Sequence, residues 1–290
     1  MARPSDPPPS QPEGLPDSDR PLSLPAAITW WLFSTLLVWG VLGLSQALRP
    51  GAAFDLVNAN ACAALAFSLA TYALVRLHSP SRPTAEAVSV RRTHPLFYLL
   101  AAAVGVLTLV AASWASGWVE RRFPLSPAEI EAMRSLIPPP QLGYRVAFAA
   151  LTVAVVPLAE EMLFRGALFR LLARGGLAPG WVVVVTALLF TFSHMNPRAF
   201  VHVLPSGLVL GALRASSGSL VPSLIAHAAF NGVTTFELLR GDVRFDEPEP
   251  LLPLWEGLGA TALTLMGLLL AHLLGRRSGL AREAQEGDRP

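Results

Sequence analysis

The chain has 290 residues, 52% of them hydrophobic and only 14% charged, with a mean hydropathy of +0.48. That composition excludes an ordinary soluble domain, and a net charge of +2 gives no electrostatic case for a nucleic-acid partner. All 22 basic residues are Arg, as in a GC-rich bacterial genome, and a single cysteine, Cys62, excludes an intrachain disulfide or a Cys-based metal cluster.

Residues 1–24 are rich in Pro, Ser and Asp, cannot bury a core, and are expected to form a disordered cytoplasmic tail. They are no signal peptide, because acidic residues outnumber Arg before the first apolar run. Apolar runs of membrane-spanning length then follow, at 25–48, 54–77, 95–118, 145–172, 178–195, 199–214, 219–239 and 252–274. The fold class they define is all-α, a polytopic membrane helix bundle with about eight transmembrane helices. One transmembrane domain covers 25–275, and a polar tail, 276–290, ends the chain. Trp30, Trp31, Trp118 and Trp255 mark membrane interfaces.

One segment departs from the pattern. In SPAEIEAMRSLI, 126–137, Ser126, Pro127 and Glu129 make a capping box with Pro at the first helical position. Ile130, Met133, Leu136 and Ile137 form an apolar stripe, so this reads as an amphipathic helix in the membrane interface, ended by Pro138, Pro139 and Pro140. Farther on, Gly207 and Gly211 have the spacing of close helix packing.

Arg placement orients the bundle. With eight spans, one side (the N-terminal tail, even-numbered loops and C-terminal tail) holds 13 Arg and the other holds 8. The excess puts both termini in the cytoplasm, here that of a bacterium bounded by its inner membrane. Arg165 is the one left over, deep inside a span.

Arg165 has company: Glu160 and Glu161 precede it in the same apolar stretch. A charge near a bilayer centre costs roughly 2.5–3.5 kcal/mol on insertion scales. Glu161 and Arg165 are i, i+4 in the favoured acid-before-base order, so an ion pair accounts for them. Glu160 is turned about 100° around the helix and does not easily share Glu161's partner. It points elsewhere and needs a donor or water. His194 ends the next span, and His227 and Asn231 share a face of the seventh. Along antiparallel helices Glu160 lies roughly 21 Å from Arg174, and His194 roughly 24 Å from Ala178, so the two reach nearly the same level. His227 and Asn231 arrive in that layer from roughly 15 and 21 Å of helix. His202, near the start of span six, reads as structural.

A desolvated carboxylate beside a His can hold and deprotonate a water. A second His with an amide can donate to a developing oxyanion. Glu160 with His194, facing His227 with Asn231, thus suits amide hydrolysis. Glu160, His194 and His227 would equally suit Zn²⁺ as ligands, although no H-E-x-x-H is present.

The ordered set EEMLFR (160–165), FTFSH (190–194) and HAAFN (227–231) resembles the three motifs of the CPBP family, E-E-x-x-x-R, F-x-x-x-H and H-x-x-x-N/D. That family comprises type II CAAX prenyl endopeptidases and bacteriocin-processing or self-immunity proteins. The resemblance covers a motif core of 145–235. It implies an intramembrane endopeptidase in which Glu160 activates water, His194 assists, His227 with Asn231 stabilises the oxyanion, and Glu161 with Arg165 supports. It further implies a glutamate-type reaction that requires no cofactor, although the family was long labelled metal-dependent; a zinc enzyme using Glu160, His194 and His227 is the alternative. The substrate would be a membrane-associated protein or peptide, such as a C-terminal sorting signal of an exported protein, and the site would open toward the outer half of the bilayer. A non-catalytic immunity or partner protein is the reading from another class. A proton-coupled transporter would also place charges in the membrane, but no repeat is present. The orientation predicts that, in single-Cys variants, Asn196→Cys reacts with an impermeant thiol reagent on intact cells and Gly175→Cys reacts only after lysis.

Overall fold

The computed structural model describes residues 19–51, 55–134, 137–241 and 252–277. Within them the chain is all-helical, with no strand. Eight helices occupy the eight expected spans. They are α1 (Leu24–Ala47), α2 (Leu56–His78), α3 (Leu96–Arg122), α5 (Leu142–Arg174), α6 (Pro179–Ser193), α7 (Phe200–Ser217), α8 (Leu220–Arg240) and α9 (Leu254–Arg277). The short interfacial helix is α4 (Pro127–Arg134). Six of the eight are long and apolar enough to cross a membrane. Helix α6 has only 15 residues, and α8 is diluted by the polar side chains His227 and Asn231 that it carries inward.

Three of the spanning helices start at caps written in the sequence. Ser23, Asp55 and Ser219 cap α1, α2 and α8 by accepting backbone N–H bonds. The capping box of α4 forms as expected: Glu129 accepts from the Ser126 N–H at 2.8 Å, and Ser126 accepts from the Glu129 N–H at 3.3 Å. Arg198 then holds this helix down, donating to Glu129 and to the Phe123 and Pro124 carbonyls. Arg198 and Ser126 hold the Glu129 carboxyl at a pKa of about 2. Of the stripe, Leu136 lies outside the described residues, as does the acidic 242–249 loop.

Helix α5 is the axis of the bundle. Its first half faces outward, with Leu142 and Val146 exposed. From Leu163 through Leu172 every residue is buried, the signature of a helix surrounded on all sides. Exposed Leu, Phe and Trp side chains cover the outer helices, the surface a lipid environment accepts. Glycines set two close approaches. A Cβ on Gly105 would lie 2.4 Å from the Ala226 carbonyl, so α3 and α8 touch backbone to backbone. Gly207 and Gly211 lie against Ala187 and Val183 of α6, the close packing their spacing predicts.

The amino-terminal expectation needs correction. Residues 1–18 lie outside the described residues, but Asp19 and Leu22 are buried. The Leu22 N–H donates to the Leu171 carbonyl at 3.1 Å, and the Arg20 N–H to the His78 carbonyl at 2.8 Å. Asp19 sits among Arg170, Arg174 (2.6 Å) and Arg82 (3.1 Å). Arg170, near the end of the fourth span, is 2% exposed. The strap folds onto this site because Asp19 supplies the buried Arg170 and Arg174 with a counterion. Burial alone would raise the Asp19 pKa; the Ser79 hydroxyl and Arg170, Arg174 and Arg82 overcome it and hold it below its ordinary value. The same strap closes Gly175 to labelling, since a Cβ there would meet the Leu22 carbonyl at 2.2 Å; exposed Ala178 in the same turn is the position to use.

A depressed carboxyl stabilises the fold above its unfolded pKa, near about 4, and that contribution fades as pH falls through the lowered folded value. Asp19→Ala should therefore cost about 3 kcal/mol at neutral pH. It should also lose less further stability on acidification than wild type, as measured by thermal unfolding in detergent from pH 7 to pH 3.

Candidate active site

Glu160 and Glu161 stand where α5 changes its winding. Two π-helical stretches, Leu151–Val155 and Met162–Leu168, flank the α-helical piece Val156–Glu161. Wide turns of this kind occur mostly as short insertions, often at functional sites. In both stretches a foreign side chain takes a backbone carbonyl. Asn231 Nδ2 donates to the Thr152 carbonyl at 3.0 Å, and Arg214 Nε donates to the Arg165 carbonyl at 2.9 Å.

The Glu161–Arg165 pair forms as expected. Arg165 Nη1 donates to Glu161 Oε1 at 2.8 Å, and neither side chain has any exposed surface. Arg165 Nη2 also donates to the Gly207 carbonyl at 3.2 Å, and the guanidinium lies 4.3 Å from the Phe190 ring centroid. These contacts offset the burial of both charges, although Arg165 Nε and Glu161 Oε2 have no hydrogen-bond partner.

Arg165 pairs with Glu161 as expected, and His227 adds a partner common to both glutamates. Its Nδ1 lies 3.0 Å from Glu161 Oε1 and its Nε2 lies 3.7 Å from Glu160 Oε2. The 100° turn between the glutamates matches the spread of the two ring nitrogens, so one imidazole lies between them. Glu160 keeps 12% of its side-chain surface open, whereas Glu161 keeps none. Of the two acids, Glu160 alone is left a face toward water.

His194 ends α6, and its Nδ1 contacts the Phe190 carbonyl at 3.0 Å. In the tautomer that donates from Nδ1, Nε2 is an open acceptor. Phe190 packs edge-on between the rings of His194 and His227, with centroids 5.0 and 5.7 Å away. His194, His227 and Asn231 line one cavity, together with Phe190, Ser206 and Phe230. Glu160 is not on its wall; it meets His227, which is. The structure therefore gathers Glu160, Glu161, Arg165, His227 and Asn231 directly, and brings in His194 across the cavity. His202 is separately tied, with Nδ1 2.8 Å from Ser116 Oγ.

Among the described residues, no three His, Cys, Asp or Glu side chains converge so as to hold a metal ion. His227 Nδ1 is held by Glu161, which leaves its Nε2 beside Glu160, and the three residues of the zinc alternative are not gathered as a ligand set.

Sequence reasoning missed the Asn231–Thr152 bond, the Arg214 contact and the Gly207 carbonyl. Arg214 was counted as a loop residue, though its burial on α7 is 95%. No residue pattern announces a carbonyl left open by a π turn; a proline in a helix is the nearest signal.

The fold defines an integral, multi-pass membrane protein with a polar cluster buried within its bundle. Residues 142–233, which contain the whole cluster, match the family model for type II CAAX prenyl endopeptidase Rce1-like proteins. The likeness to that family covers this segment, about a third of the chain. No curated protein and no solved structure matches the chain.

Removing one charge from the sealed pair should damage the fold. Arg165→Met leaves the buried Glu161 with His227 in place of a permanent cation, an expected cost of about 3–5 kcal/mol. Arg165→Met with Glu161→Gln should recover a large part of it, as read from yield of folded protein and melting temperature in detergent.

Proposed function

We propose that the protein is an intramembrane endopeptidase that cleaves a peptide bond of a membrane-associated protein or peptide with a water activated by Glu160. The observation that carries this is the contrast between neighbouring acids. Glu161 is sealed by Arg165, while Glu160 keeps an open face beside His227 and a cavity lined by His194 and Asn231.

A water between Glu160 and His194 gives its proton to Glu160 as its oxygen attacks the scissile carbonyl carbon. The carbonyl oxygen becomes an oxyanion. It accepts from His227 Nε2, in the imidazolium form whose Nδ1 donates to Glu161, and from the second Nδ2 hydrogen of Asn231, the first being on Thr152. Collapse of the intermediate breaks the C–N bond, and the proton held by Glu160 passes to the leaving amine. His194 holds the water through its Nε2 acceptor. No step runs through a metal. Of the membrane faces, the Arg asymmetry favours cytoplasmic termini, which sets His194 on the external side of the bacterial inner membrane.

The test is Glu160→Gln, an isosteric change that keeps the helix and removes the base. Purified protein is given a quenched peptide ending in a farnesylated CAAX sequence, and membranes expressing each form are compared for new protein N-termini. The variant should lose at least about 100-fold in kcat, as general-base catalysis contributes that order, and the N-termini should be present only with wild type. Cleavage should survive a strong chelator. Wild-type turnover by Glu160→Gln overturns the mechanism, and loss of activity with chelator, restored by zinc, replaces it with the metal-dependent one.

A further inference from the structure

We infer that Pro157 is a positioning residue: by leaving the Thr152 carbonyl without a helical donor, it fixes the amide of Asn231 that faces the cavity. The inference rests on the oxyanion role proposed for Asn231 and adds a residue which that role does not include.

The argument follows the backbone hydrogen-bond ladder of α5. A carbonyl inside a helix accepts from the N–H four residues on, or five in a π turn. For Thr152 those donors are Val156 and Pro157. The Val156 N–H donates to the Leu151 carbonyl, one step back, in the π register. Continued by one residue, that register would bring the N–H of position 157 to the Thr152 carbonyl. Proline has none. The carbonyl is thus left open in a region where water is scarce, and an unmet carbonyl there costs several kcal/mol in lipid-like surroundings. Asn231 Nδ2 takes the place, at 3.0 Å.

An Asn side chain has one amide plane, so anchoring one N–H sets the direction of the other and of Oδ1. With one Nδ2 hydrogen on Thr152, the second is aimed by the backbone of α5 rather than by the rotamer preference of α8. The turn that supplies the anchor is itself fastened, because Asn60 Nδ2 of α2 donates to Thr152 Oγ1 at 3.0 Å. The route from Pro157 to the cavity therefore has two parts, an open carbonyl and the amide it orients. Asn231 lines the cavity beside His227, and Pro157 is buried and not among the residues lining it.

The prediction is unusual for a buried proline. Pro157→Ala supplies the missing N–H, which competes with Asn231 for the Thr152 carbonyl. The helix gains a bond, and the amide loses its anchor. On the quenched farnesylated peptide, Pro157→Ala should lower kcat by about 10-fold or more, since loss of a whole oxyanion donor costs about 100- to 1,000-fold, with KM within about 2-fold. Its melting temperature in detergent should be unchanged or raised by about 2–4 °C, the shift expected from one added hydrogen bond. In an Asn231→Ala background, Pro157→Ala should produce no further fall in kcat, because the two act as one unit.

Wild-type kcat in Pro157→Ala overturns the inference, as does a fall of kcat and melting temperature together, which marks a merely structural proline. A further, multiplicative loss in the Asn231→Ala background overturns it too. Failure of the functional reading is told apart by Glu160→Gln. If that variant is inactive while Pro157→Ala is normal, the positioning claim alone falls. If Glu160→Gln turns over like wild type, or wild type does not cleave at all, the enzymatic reading falls and the inference with it.

Discussion

Arg165 is the group on which the rest of the site depends. It is a full charge with no exposed surface, held on one side by Glu161 and on the other by the Gly207 carbonyl, over the Phe190 ring. These contacts come from three helices, α5, α6 and α7, so satisfying one cation fixes their mutual depth and rotation. Glu161 is thereby committed and can orient His227 through Nδ1. Glu160, next in sequence but on another face, is left uncommitted beside the other ring nitrogen. The division between a sealed acid and an open one follows from which of the two the guanidinium can reach.

The backbone contributes as much as the side chains. In water an unpaired carbonyl costs little, but inside a membrane bundle each one must find a donor. The π turns of α5 and its proline open carbonyls at chosen heights, and Asn231 and Arg214 close them from neighbouring helices. These bonds tie α7 and α8 to α5 in a single register. Such cross-links are stronger constraints on helix rotation than the contact of Leu and Val surfaces, which can slide at little cost.

Much of this was legible from residues alone. Apolar runs near membrane length placed all eight helices, because lipid imposes a length that water does not. The Glu161–Arg165 pair followed from helical periodicity, and the shared layer of Glu160, His194, His227 and Asn231 from counting rise along antiparallel helices. What escaped were features that depend on where an unbonded group lies in three dimensions. Arg170 and Asp19 looked like a loop cation and a tail anion, and only packing makes them partners. His227 looked like a partner for Asn231 rather than a bridge between two acids, because spacing gives faces and not the direction of a ring.

One dimension of the bundle has a consequence for its surroundings. Helix α6 runs for only 15 residues before His194 caps it, roughly 22 Å at the helical rise against a hydrocarbon thickness of about 30 Å. Local thinning is one way a bilayer meets so short a helix, and it draws headgroups and water inward. The dip falls where α6 ends, at the imidazole of His194. A bilayer deformed at that point lowers the cost of bringing an extended, unpaired stretch of polypeptide out of the interface and against the bundle. The short helix thereby makes the membrane itself a shallow approach to the polar layer.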